Sequence, residues 1–419
     1  MMNRRRLKCD TCGATTVART AVGHGPYQEF AFPCPGCGAE IRFGMDLDQA
    51  NVSIKYTKIA NASWVKGEDK DDYVEFFDGE NLVPIDKTLP VSPFIAVMSM
   101  VSDNRKFVEH QEIRRHISIN LWPIVERMQI HLKSSNWTLF QRDSKKLGYK
   151  CEVAGAEDAL SLMQDVLERC AVVFRPTTSA HEARVRQRIN LAETMSETLC
   201  LNLVQHFSAS GAAQDLWLEL ESIRKRWHLL YPCLAGVYTR YYWHHAVDHL
   251  DEFTLAQKRF DDLKPFYVDC FETFCRISVV AGGLEGIIHF KQLGVPSAHR
   301  LMSLQEFDAT KNGVKPDILK NLVIGDIFTP YIDSKLRNGV GHHAARYDVK
   351  SDSVEYVTKD SKGLIARHGM SYARFCEKVV ILYAQLETTA FYVNWLKGRA
   401  LGISGKKGRV TCNGFNMGT

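Results

Sequence analysis

Arg337, Asn338 and His342, with His343 directly behind, gather a fixed cation, an amide and titratable imidazoles in LRNGVGHHAARYD, residues 336–348. Arginine can hold the charge of a pentavalent phosphorane bidentately, and histidine moves protons near neutral pH. The set therefore suits metal-free cleavage of a phosphodiester that supplies its own nucleophile, as the 2′-hydroxyl of RNA does. Geometry adds a condition. A five-residue step on an ideal helix turns by roughly 140°, which separates Arg337 from His342, whereas a four-residue step keeps Asn338 and His342 on one face. Asn338 would fix one imidazole tautomer. Arg337 joins only if Gly339 and Gly341 bend the backbone, or if a second copy of the chain supplies the missing group. The same arginine–histidine spacing recurs at Arg105…His110 and Arg240…His245, so spacing alone says little. The competing reading is a plain helix C-terminus, with His342 and His343 on the last carbonyls and Asp333 as the ion-pair partner of Arg337.

A second chemical group sits near the start. Cys9-x-x-Cys12 and Cys34-x-x-Cys37 are twenty-one residues apart, and each pair is followed by a glycine, Gly13 or Gly38. Such knuckles aim four thiolates at one point, so the spacing predicts one structural zinc with no open coordination position. A redox pair would need one CxxC to open a helix in a βαβ setting, and that setting is missing. Arg4, Arg5, Arg6 and Lys8 beside the first knuckle read as a solvated basic terminus.

Two further groups carry less. His245 and His249 stand one helical turn apart with Asp248 and Glu252 nearby, as in a two-histidine metal site, but the metalloprotease glutamate is missing and aromatics surround them. Arg184 and Arg188 read as a solvated helix face or as contacts to an RNA backbone. Glycine-rich phosphate loops of the Walker or Rossmann kind are lacking, which argues against an ATP- or NAD-dependent enzyme.

The elements that must position these residues follow from composition and period. With 45% hydrophobic and 24% charged residues in 419, the chain reads as an ordinary globular protein of several domains. A net charge of +5 neither demands nor forbids a nucleic-acid partner. The basic N-terminus has no apolar signal-peptide core behind it, and no run reaches the roughly 18 apolar residues of a membrane span. Scattered single cysteines suit a reducing cytoplasm. Residues 46–95 are short-period and β-like, and helical periodicity follows, as in the stripe Leu160, Met163, Leu167, Cys170. The long run 216–253 should break near Pro232, and Gly282 and Gly283 should loosen the next one. A hairpin is expected over 346–369. Then comes a closing helix capped by Ser371, with Phe375, Val379, Leu382, Leu386, Val393 and Leu396 as its core stripe.

RNGVGHH, its tyrosine-containing hairpin and the closing helix resemble the HEPN superfamily, over roughly residues 255–400. In that family an R-N-x-x-x-H signature in an all-α bundle marks metal-independent ribonucleases. The resemblance implies that Arg337, Asn338 and His342, or His343 in place of His342, are catalytic. It also implies a homodimer that pairs two motifs, and a bacterial antiphage-defence or toxin role controlled by a trigger or inhibitor protein. The expected class is mainly α: a zinc ribbon (1–45), a β-rich extension (46–95), a helical middle region (96–254), a HEPN-like bundle with a β-hairpin insertion (255–400) and a flexible basic tail (401–419). The expected function is an RNA-cutting, membrane-free cytoplasmic enzyme that uses no catalytic metal. A non-catalytic RNA- or protein-binding module and a metal-dependent hydrolase centred on His245 and His249 are the alternatives.

Overall fold

The computed structural model describes residues 2–21, 27–48, 53–67, 73–79, 81–84, 104–174, 179–209, 212–242, 247–322, 332–341, 345–359 and 365–400. The chain opens with β1 (Met2–Cys9), β2 (Thr15–Ala21), β3 (Tyr27–Pro33), β4 (Glu40–Asp48), β5 (Ser53–Ala60), β6 (Ala62–Trp64), β7 (Tyr73–Asp78) and β8 (Leu82–Pro84). Helix α1 (Asn104–His116) passes through a π-helical turn into α2 (Trp122–Lys133), followed by α3 (Trp137–Lys146), α4 (Ala156–Val172), α5 (Ser179–Met195), α6 (Glu197–Ala209) and α7 (Ala212–Tyr242). A 3-10 turn at Val247–Glu252 and β9 (Phe253–Leu255) lead to α8 (Phe260–Phe290), β10 (Val295–Pro296), β11 (Leu301–Met302), α9 (Leu304–Ala309) and α10 (Lys315–Leu319). Last come α11 (Ser334–Gly341), β12 (Ala345–Asp348), β13 (Ser353–Lys359), β14 (Ile365–Ser371) and α12 (Tyr372–Ala400). The protein is mainly α with small β-sheets.

Two compact units form. One contains Met1–Val108, Leu229–Pro265 and Asn338–Val380, the other Glu109–His228, Phe266–Arg337 and Ile381–Thr419. Both interleave distant stretches of the chain. The tail 401–419 lies outside the described residues.

In the first unit β1 and β2 pair antiparallel, flanked by β6 and by a parallel β7, while β3, β4 and β5 make a second sheet. Period-two alternation explains its faces. Phe30, Phe32, Ile41, Phe43 and Met45 pack with Leu7 and Phe77 in one core, whose Phe43 and Phe77 rings meet edge-on at 5.6 Å. Tyr27, Glu29, Glu40 and Arg42 fall on the intervening positions. Strand β8 pairs with β9, tying this region to the segment before α8. The expected hairpin is a three-stranded meander, because β14 adds to β13 along seven residue pairs.

The second unit is helical. In α4 the buried face is Ala159, Leu162, Met163, Val166 and Cys170, while Leu160 is exposed. The core stripe is thus set one position round from the expected one, with the small Ala159 admitting a close neighbour. Across the two units, other expectations meet different outcomes. All six stripe residues of α12 are buried, and Ser371 Oγ accepts from the Arg374 N–H at 3.2 Å as its cap. Helix α7 runs on through Pro232, because burial of Leu230, Tyr231, Cys233 and Leu234 outweighs a break worth about 3 kcal/mol. Helix α8 likewise keeps Gly282 and Gly283, since Val295 and Leu203 pack where their side chains would begin. It has the length and mean hydropathy (1.2) of a membrane span, but 83% of that window is buried, as in a core helix.

Candidate functional site

The four N-terminal sulfurs converge. Their Sγ atoms all lie within 4.8 Å of one another, with Cys9–Cys37 at 3.9 Å and Cys12–Cys34 at 3.6 Å. A tetrahedral ion with metal–sulfur bonds of about 2.3 Å needs sulfur separations of about 3.8 Å, so the set fits one such ion. Each knuckle closes by a glycine N–H, Gly13 to the Cys9 carbonyl (2.9 Å) and Gly38 to the Cys34 carbonyl (2.7 Å). Both glycines have positive φ, 80° and 72°, which a side chain would strain. Burial raises the Cys9 thiol, but the amides of Cys12 and Thr11 aimed at its sulfur prevail and bring it to about 6. Burial pushes the Cys34 thiol up. Asn61 donates to Cys9 Sγ at 3.6 Å, linking the knuckle to the β5–β6 turn.

Arg337 belongs to α11, whose start is capped by Asp333: its carboxylate accepts from the Leu336 N–H at 2.9 Å. The guanidinium reaches Glu272 on α8, Nε donating to Oε1 at 2.5 Å while a terminal nitrogen grips the same oxygen. Glu272 Oε2 accepts from Asn312 at 2.5 Å, so a carboxylate and an amide orient the arginine. The pair is three-quarters buried, at 25% and 23% side-chain exposure. Leu336 and Val340 face inward, and Asn338 is exposed. Gly339 admits Tyr356, whose ring begins 2.5 Å from where a Cβ would stand. Tyr356 in turn stacks on His368 at 5.0 Å. His342 and His343 lie outside the described residues.

The remaining candidates divide. Arg188 is not on a solvated face: it forms a two-pronged pair with Glu285, at 2.9 and 2.6 Å, and that carboxylate is fully buried. The Arg184 side chain lies outside the described residues, as does His245. His249 falls in the 3-10 turn rather than on an α-helix. Arg5 lies over the Tyr56 ring at 5.2 Å. Among the described residues the four cysteines are the cluster suited to a metal.

Sequence reasoning missed Glu272 and Asn312, and also a lysine network in the first unit. Lys258, with 6% side-chain exposure, donates to Asp352 (2.5 Å) and to Thr254 Oγ1 (2.7 Å), and its ammonium lies 4.7 Å from the Tyr372 ring centre. Tyr347 donates to the same Asp352 oxygen at 2.8 Å. Burial pulls the Lys258 pKa down, and Asp352 opposes it. A lysine after an amphipathic break gives no sequence sign of this; the lone acid in FETF was the legible hint for Glu272.

No protein-family model, no curated protein and no solved structure matches this chain.

Proposed function

We propose that the protein is a metal-independent endoribonuclease of HEPN type, in which Arg337 steadies the phosphorane charge and His342, or His343 beside it, transfers protons with Asn338 holding its ring. The observation that carries this reading is the fixed setting of Arg337. A capped helix and the Glu272 carboxylate, itself held by Asn312, point one guanidinium in one direction, with Asn338 exposed on the next residue. The order of α11, antiparallel strands and a long closing helix agrees with the family resemblance. Preorganised charge of this kind is what in-line transesterification by a 2′-hydroxyl requires. In this reading the four cysteines hold one zinc, soft thiolates in a closed set being the usual structural site for that ion, and the metal takes no part in the reaction. Two copies of the chain pair their motifs, and the enzyme acts in the cytoplasm as a defence or toxin effector awaiting a trigger or inhibitor.

The substrate side of the reaction tests this. RNA should be cut in the presence of EDTA, leaving a 2′,3′-cyclic phosphate and a 5′-hydroxyl. DNA, and RNA whose 2′-hydroxyl is removed at the cut, should resist. Loss of cleavage in EDTA would transfer the reading to a metal-dependent hydrolase, the role considered for His245 and His249. A second reading, RNA or protein binding without cleavage, is favoured by the Arg337–Glu272 pair itself, which neutralises the guanidinium. It predicts RNA retention without products.

A further inference from the structure

The face of β3 and β4 turned away from the phenylalanine core forms one wall of a cavity of ≈ 570 Å³ that lies wholly within the first unit. Tyr27, Glu29, Glu40 and Arg42 make that wall. The floor is the segment from Gln257 to Asp262, and Arg346 and Tyr347 close the far side. The volume suits a ligand of nucleotide size.

Four features define the chemistry such a ligand must have. Tyr27 lies against Gly44, where a Cβ would stand 2.6–3.0 Å from its ring and hydroxyl, and it remains 46% exposed. That is an aromatic platform backed by main chain. Among the described residues the guanidiniums of Arg259 and Arg346 pair with exposed carboxylates: Arg259 with Asp262 at 2.8 Å (39% and 55% exposed), and Arg346 with Glu355 at 2.7 Å (78% and 45%). Exposed pairs of this kind add little stability, so an incoming anion can exchange with them. The third feature is the first turn of the 31-residue helix α8, which lines the same space and already carries the carboxylates of Asp261 and Asp262 at its positive end, so a phosphate there must be held by the two arginines. Glu29, 3.4 Å from Arg42 and hydrogen-bonded by the Tyr27 hydroxyl, supplies the fourth, a carboxylate with acceptor capacity left for an amino or imino group. Lys258 in the floor and Tyr347 on the far side are both hydrogen-bonded to Asp352. A carboxylic acid would leave the ring unused, an uncharged sugar would stack on the ring but leave the guanidiniums without an anion, and a lipid would leave Glu29 unused.

We propose that this cavity binds one nucleotide unit, its base stacked on Tyr27 and donating to Glu29, its phosphate between Arg259 and Arg346 at the head of α8. The unit can come from a free nucleotide or from a strand of RNA. Only the second source rests on the ribonuclease reading, where the cavity would hold substrate away from Arg337.

The test uses the full chain carrying its metal, with His342→Ala to suppress turnover. Calorimetry measures AMP, GMP, CMP and UMP, and fluorescence anisotropy measures a single-stranded RNA of about ten nucleotides. At least one probe should bind with a Kd below about 1 mM. Tyr27→Ala should weaken it roughly 5- to 100-fold, the loss expected from a base–aromatic stack. Arg259→Glu and Arg346→Glu should each weaken it by about tenfold or more, with a shallower salt dependence. Arg346 is largely exposed and Tyr27 and Arg259 partly so, and unchanged near-UV dichroism and metal content will show that the variants fold. RNA binding at least about tenfold tighter than any mononucleotide assigns the cavity to a strand, and equal affinities assign it to a free nucleotide. No binding below about 1 mM, or binding that Tyr27→Ala and Arg346→Glu leave unchanged, overturns the proposal. Tyr27→Ala and Arg346→Glu are also made with His342 intact: cleavage that persists in them with unaltered RNA affinity removes this inference and leaves the ribonuclease reading standing. Nucleotide binding by a chain with His342 intact that cuts no RNA does the reverse.

Discussion

The four cysteines and the Arg337–Glu272 pair both concentrate charge in a small volume, but they neutralise it from different sources. Around the sulfurs the described donors are neutral: backbone amides of Thr11 and Cys12, and the Asn61 side chain. Four thiolates so placed would repel one another unless a cation sat between them, so in the proposed zinc-bound state the ribbon depends on something outside the chain. At α11 the cation and its counter-charge are both encoded, sixty-five positions apart. That pair is complete within the chain and needs no ion from outside. Each region is vulnerable in its own way: the ribbon, if it holds the proposed ion, to loss of that ion, and the helical unit to loss of one partner of a pair.

Removing the ion should have the largest effect. Structural zinc contributes about 10–16 kcal/mol in small domains, so chelation, or Cys34→Ser, should unfold the ribbon. In NMR spectra the dispersed amides of residues 2–64 should collapse, while far-UV ellipticity from the helices is largely kept. A ribbon that stays folded without metal would break the contrast.

Next comes the most deeply buried pair of the helical unit. Arg224 donates to Glu387 at 2.7 and 2.8 Å, with side-chain exposures of 7% and 0%. Glu387→Gln leaves a buried charge unmatched and should cost about 3–5 kcal/mol in denaturant titrations. Glu272→Gln, at a pair three-quarters buried but reaching solvent, should cost about 1 kcal/mol, which makes it the smallest effect here. Equal losses would mean that burial does not distinguish the two pairs.

Between these falls a pH effect. His228 stacks on Trp122 at 4.1 Å and meets Ser118 Oγ at 2.9 Å. Burial, helped by the Arg224 charge, depresses its pKa to about 3. The unfolded chain takes up this proton near pH 6.5 and the folded chain refuses it until about 3. Acid therefore favours unfolding throughout that window, by up to about 1.4 kcal/mol per pH unit. Stability should fall as pH drops from 6.5 toward 4, and His228→Gln should flatten that slope. A wild-type slope identical to the variant's would remove His228 from the account.

What could be read from sequence follows the same division. Cys9 and Cys12 sit in one turn closed by Gly13, so spacing alone placed them. The stripe of α12 and its Ser371 cap were legible for the same local reason. Arg337 was found, but its partner was not, because Glu272 reaches it through tertiary packing. Glu272, Glu285 and Glu387 each stand nearly alone in apolar helical sequence, and each proves to hold an arginine, Arg337, Arg188 or Arg224. A carboxylate amid apolar helix residues announces a cation from elsewhere without naming it. Arg188 was misjudged as solvated on that account. Pro232 was overruled by burial that no local rule registers, and the hairpin read over 346–369 holds three strands, β14 pairing with β13 along seven residue pairs.

The central claim is that Arg337 and His342 carry catalysis. It is tested most directly by the rate of RNA cleavage in EDTA for wild type, Arg337→Ala, Arg337→Lys and His342→Ala, read in vitro and as growth arrest in cells that express each protein. His342→Ala should lose about 10²–10⁴-fold with proton transfer. Arg337→Ala should lose about 10²–10³-fold, and lysine should rescue it only in part because a point charge lacks the planar fork. Cleavage that survives both alanine substitutions undiminished would contradict the account.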